Sequence, residues 1–79
     1  MNLYIGNLDE KIQSYHLKEA FQEYGQVSSA KIIKDKKTGK SQGYGFIEMP
    51  DTDQARKVIE TVNGATWEGK TLIVREAYK

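Results

Sequence analysis

Gln42-Gly43-Tyr44-Gly45-Phe46-Ile47-Glu48-Met49 is the stretch whose reading decides the fold. Side chains alternate across a β-strand. Gln42, Tyr44, Phe46 and Glu48 therefore point one way, and Gly45, Ile47 and Met49 the other. A second segment, Leu3-Tyr4-Ile5-Gly6-Asn7-Leu8, repeats the arrangement, with Leu3 and Ile5 opposed to Tyr4. If both aliphatic faces bury, Tyr4, Tyr44 and Phe46 emerge together on an uncovered sheet surface. A cluster of exposed rings usually marks a contact surface, and aromatic faces stack well on unpaired nucleobases.

Working outward, Leu17, Ala20, Phe21 and Tyr24 fall at offsets 0, 3, 4 and 7, one face of a helix. Ser14 is its expected N-cap and Gly25 its stop. Residues 27–34 regain strand character, with Ala30 and Ile32 opposed to Lys31 and Ile33. A polar turn region runs from Asp35 to Gln42. Asp51 and Gln54 have capping-box spacing for a second helix, in which Ala55, Val58, Ile59 and Val62 repeat the same offsets. Asn63-Gly64 ends it. Leu72 and Val74 then alternate with Ile73 and Arg75 in a last strand. The order β-α-β-β-α-β predicts an α+β sandwich of ferredoxin-like type, with two helices on one face of a four-stranded antiparallel sheet. The open face is expected to carry Tyr4, Lys31, Ile33, Gln42, Tyr44, Phe46, Glu48, Ile73 and Arg75.

With 79 residues, the expectation is one domain over 1–79. No apolar run reaches the roughly 20 residues of a membrane span, there is no secretory lead-in, and cysteine is absent. A cytoplasmic protein is expected. The net charge of +1 conceals a division. Within residues 31–42, Lys31, Lys34, Lys36, Lys37 and Lys40 against Asp35 give +4, while seven basic and ten acidic residues elsewhere give −3. Such a patch attracts phosphate; as a solvated loop it would only aid solubility.

On these two segments the chain resembles an RNA recognition motif domain over essentially its whole length, and by its short length it looks like the small single-domain bacterial members. Leu3–Leu8 resembles the family's hexamer, and Gln42–Met49 its octamer, K/R-G-F/Y-G/A-F-V-x-F/Y. Asn63-Gly64 and Gly69-Lys70-Thr71-Leu72 match the usual approach to the last strand. Two departures stand out. Gln42 replaces the leading basic residue that in the family reaches a phosphate, and Met49 replaces the final aromatic. By alternation Met49 belongs to the core, where its flexible side chain fills the same space. The resemblance implies that strands one and three lie at the centre of the sheet, with Tyr4, Tyr44 and Phe46 as neighbours.

The implied activity is binding of single-stranded RNA, with single-stranded DNA acceptable to the same stacking surface. Tyr4, Tyr44 and Phe46 would stack, Lys36, Lys37, Lys40 and Lys31 would attract phosphate, and Asn2, Ile33, Gln42, Glu48, Ile73, Arg75 and Tyr78 would complete the surface. A monomer without cofactor or metal is expected. Tyr24 and Phe21 are expected in the core, Trp67 in a packing role at its edge, and His16 on the surface near no obvious acid-base partner. No catalytic constellation is visible. The alternative is a protein-peptide interaction module on the same fold. Against it, the loop Ala65-Thr66-Trp67-Glu68 lacks the Arg-x-Phe of peptide-binding variants, and the stacking aromatics are kept.

Overall fold

The computed structural model describes residues 1–78. Its elements are β1 (Asn2–Gly6), α1 (Ser14–Gln22), β2 (Ser29–Lys34), β3 (Ser41–Glu48), α2 (Thr52–Val62), β4 (Thr66–Trp67), β5 (Lys70–Thr71) and β6 (Ile73–Glu76). Four strands form an antiparallel sheet in the order β2-β3-β1-β6, which makes β1 and β3 central. The period-two pattern dictates the burial. Leu3, Ile5, Ile32, Ile47, Met49 and Val74 are buried on one face, against Leu17 and Phe21 of α1 and Ala55, Val58 and Val62 of α2. Met49 is fully buried, as its parity requires. Leu8, Ile12, Val27 and Leu72, which lie between the regular elements, complete the core.

The helix ends differ from the sequence expectation in instructive ways. At α1 the N-cap is Gln13, not Ser14, and its N–H donates to His16 Nδ1 at 2.8 Å. His16 is half-buried where the sequence reading puts it on the surface, and its ring accepts a backbone N–H at the start of the helix. At α2 the Asp51 carboxylate accepts the Gln54 N–H at 3.0 Å, as expected. Gln54 does not close a reciprocal box: its Oε1 accepts the Gln26 N–H at 3.0 Å, tying α2 to the loop before β2.

Tyr24 is also corrected. It is 49% exposed, whereas Phe21 is 2% exposed. The helix ends at Gln22, so the 3.6-residue phase that placed Tyr24 beneath it no longer applies. Trp67 packs half-buried against the core, in the role expected of it. It belongs to a small hairpin of β4 and β5, paired Thr66 to Thr71 and Trp67 to Lys70, that the sequence pattern does not announce.

Candidate nucleic-acid interface

The register of the central strands assembles the site. Tyr4 lies opposite Phe46 on β3 and opposite Arg75 on β6. Directly opposed residues share a face, and that face carries no helix. The three rings meet there. Tyr4 and Tyr44 stack with centroids 5.6 Å apart and planes 28° apart. Phe46 meets Tyr4 edge-on at 5.9 Å and Tyr44 at 6.0 Å. All three are half-buried through this mutual packing, and none is in the interior.

Gly6 makes room for this arrangement. It follows Tyr4 by two residues on the same face, and the Tyr4 ring lies over it. A Cβ on Gly6 would stand 2.6 Å from Tyr4 Cε1 and 2.8 Å from its hydroxyl. A side chain there would lift the ring. Asn7 then turns the chain in the left-handed region (φ 59°), which Asn tolerates better than most residues. Its Nδ2 donates to Thr71 O at 2.7 Å, fastening the end of β1 to β5.

The outer positions follow with one exception. Lys31 is opposite Phe46, and Ser29 and Asn2 are both opposite Glu48. Ile73 is opposite Gly6 and 46% exposed. The β2–β3 register shifts between Ile32 and Lys34: Ile32 faces Gly45, but Lys34 faces Ser41. The single residue Ile33 therefore spans against Gln42, Gly43 and Tyr44. Gly43 absorbs this bulge with φ 83°, and its carbonyl accepts the Leu8 N–H at 2.8 Å. Gln42 is exposed, but the bulge breaks the alternation that aligned it with Tyr44.

Asp35, the one acid in the basic window, organises the β2–β3 loop. Its Oδ1 accepts the N–H groups of Lys37 at 2.8 Å and Thr38 at 3.0 Å. These bonds, Thr38 first and Lys37 second, hold its carboxyl below the ordinary aspartate range. Backbone bonds from Gly39 N to Asp35 O and from Asp35 N to Lys40 O, both 2.8 Å, close the turn. Lys36, Lys37 and Lys40 are exposed on this turn.

Two hollows flank Phe46. One is lined by Tyr4, Phe46, Arg75, Glu76, Ala77 and Tyr78. The other, about 440 Å³, includes Asn2, Lys31, Phe46, Glu48 and Tyr78. Tyr78, 85% exposed with its hydroxyl donating to Glu76 Oε1 at 3.3 Å, borders both. Among the described residues no group of His, Cys, Asp and Glu side chains could hold a metal ion, and no helix is long and apolar enough to cross a membrane.

Fold, ring cluster and both motifs define one class of domain, and comparison gives the same answer. The RNA recognition motif family matches residues 3–73, and the chain belongs to it. The putative RNA-binding protein RbpE of Nostoc is 35% identical over 98% of this chain and 78% of its own length. The cytotoxic granule-associated RNA binding protein tiar-1 of Caenorhabditis elegans is 42% identical over 91% of this chain, which spans only 17% of that relative. Among solved structures, RNA binding protein PG1 superposes with a TM-score of 0.96 at 43% identity, covering 100% of this chain and 95% of that one. A Sex-lethal protein–RNA complex superposes at 0.92 with 29% identity, covering 99% of this chain and 47% of that one.

Proposed function

We propose that this chain binds single-stranded RNA across the open face of its sheet, acting as a cytoplasmic, monomeric binding module without catalytic activity. The observation that carries the reading is the trio of Tyr4, Tyr44 and Phe46, each ring within 6.0 Å of the other two on a face that no helix covers. A structural relative captured in complex with RNA, with a TM-score of 0.92, supports it. Two rings would stack on successive bases while the third packs against a ribose. Each stack contributes about 1–3 kcal/mol. The two base stacks give roughly 2–6 kcal/mol before ordering costs, which corresponds to dissociation constants from about tens of millimolar to tens of micromolar, and the ribose contact adds to this. Lys36, Lys37 and Lys40 add salt-dependent attraction to phosphate. Lys31, Asn2, Ile33, Gln42, Glu48, Ile73, Arg75 and Tyr78 frame the bases. Duplexes should bind poorly, because their base faces are already stacked; single-stranded DNA should bind, because the rings do not require a 2′-hydroxyl.

The test is titration with short RNA of the wild type and of Tyr4→Ala and Phe46→Ala. Each substitution should weaken binding about 5- to 150-fold while circular dichroism stays native, since neither ring is in the core. Unchanged dissociation constants for both would remove the stacking reading. One observation favours a second use of the domain. On the helical side, Ala20, Phe21, Tyr24, Val62, Trp67 and Leu72 line a hollow of about 210 Å³. A peptide partner would occupy that side. Amide shifts confined to the helices on adding a partner, with the sheet silent toward RNA, would favour it.

A further inference from the structure

We infer that the corner of the sheet formed by Glu48, Lys31 and Asn2 beside Phe46 selects guanine over the other three bases. The inference rests on the RNA-binding reading and goes beyond it, by naming the base. Among the described residues, Glu48 is the only acidic one whose strand register places it on the ring-bearing face. A carboxylate there repels every phosphate that approaches, so it weakens binding unless a base compensates. Its orientation is fixed: Oε1 accepts the Ser28 hydroxyl at 2.7 Å, and the Ser28 N–H donates to Glu48 O at 2.9 Å. A carboxylate has about four acceptor sites, and Ser28 occupies one.

Glu48 borders the hollow that also contains the Phe46 ring, Lys31 and Asn2. Residues two apart on a strand face are about 6.8 Å apart. A base stacked on Phe46 with its polar edge along β3 therefore brings that edge within hydrogen-bond reach of Glu48. The carboxylate accepts only and the Lys31 ammonium donates only, so the two together read a donor pair beside an acceptor. Guanine offers N1–H and N2–H₂ side by side, with O6 next to them. Cytosine and adenine each offer one amino group beside a ring nitrogen that only accepts. Uracil offers a single N3–H between two carbonyl oxygens, both of which the carboxylate repels. Only guanine makes two bonds to Glu48 while giving Lys31 an oxygen. Asn2, opposite Glu48 with both donor and acceptor atoms, accommodates the remaining edge.

The experiment is fluorescence anisotropy of the full chain with labelled RNA pentamers, all uridine except a central G, A, C or U. A bidentate contact predicts that the G pentamer binds about 5- to 150-fold more tightly than the all-uridine one. Glu48→Gln, on an exposed side chain whose Oε1 can still accept from Ser28, should bring that ratio close to one. Phe46→Ala should weaken all four pentamers together. No guanine preference in the wild type, or a preference that Glu48→Gln leaves intact, overturns the inference. If Phe46→Ala still weakens binding in that case, RNA binding itself stands. Failure of all four pentamers to bind overturns the RNA-binding reading, and this inference with it.

Discussion

The Arg75 guanidinium carbon lies 4.6 Å from the centre of the Tyr4 ring, directly across the β1–β6 pairing. Tyr44 stacks on the same ring at 5.6 Å. The ring that the RNA-binding reading offers to a base thus already has a cationic neighbour from its own chain. A cation over an exposed ring contributes about 0.5–1 kcal/mol, whereas a base stack contributes about 1–3 kcal/mol. On that reading a base would have to displace Arg75 or stack on its planar face, and the displaced charge would remain beside the phosphates.

Two opposed effects make Arg75→Ala diagnostic. Removing the cover favours stacking on Tyr4, and removing the charge disfavours phosphate. Salt separates them, because screening shortens from about 30 Å at 0.01 M to about 3 Å at 1 M. At low salt Arg75→Ala should bind RNA more weakly than wild type; near 1 M it should equal or exceed it. Arg75→Lys should retain the low-salt affinity without the planar stack. A titration series at several salt concentrations reads this directly. A deficit of the same size at every concentration would show Arg75 in a direct, unscreened contact.

Lys36 and Lys37 are exposed in the turn between β2 and β3, outside the strands that carry the rings. Their contribution should be electrostatic alone. Replacing both with Ala should lower the slope of log affinity against log salt by about 0.7 for each phosphate that the lysines neutralise. The affinity ratio between different RNA sequences should stay as it was. Equal weakening at low and high salt would rule out phosphate contacts there.

The loop that presents them depends on Asp35. Its folded-state pKa is depressed, because the Thr38 and Lys37 N–H groups stabilise the carboxylate. A depressed acid contributes order above its ordinary value of 3.8 and loses that contribution as pH falls through the lower folded value. Protection of the Lys37 and Thr38 amides, taken relative to their intrinsic exchange rates at each pH, should therefore persist at neutral pH and be lost only under strongly acidic conditions. Asp35→Ala should lose this protection at neutral pH, with the sheet amides unaffected.

The ring trio is legible in the sequence because period-two alternation survives wherever β1 and β3 pair in register. Beyond Tyr44 it fails at the Gly43 bulge, which brings three residues of β3 opposite Ile33. A glycine inside a strand is the available hint, but it does not say which way the parity breaks. Tyr24 departs from its expected place for a similar reason, since the helical period stops short of it. The β4–β5 hairpin is invisible in the sequence because two-residue strands have no period to read. Its turn needs positive φ at Glu68 (51°) and Gly69 (75°), the geometry that Asn-Gly usually announces. Glu in the first of these places hides the signal. The Gln54 bond to Gln26 and the Arg75–Tyr4 contact join residues distant in sequence, and no local pattern encodes either.

Gly6 offers the sharpest separation between fold and site. It is not among the residues with positive φ, so an added methyl meets no backbone penalty. What it meets is the Tyr4 ring, at 2.6 Å from Cε1. The far end of that ring can swing outward, so Gly6→Ala should leave stability within about 1 kcal/mol of wild type, the usual range for a tolerated strand substitution. The displaced ring no longer stacks in parallel on Tyr44 and moves relative to Arg75. RNA affinity should then fall by about 5-fold or more, the lower limit for removing one stack, and the Tyr4 ring resonances should shift more than those of any core side chain. Unfolding of Gly6→Ala would place the ring's packing in the core's energetics instead. Native affinity with an unmoved Tyr4 would mean that the ring does not need the space glycine leaves.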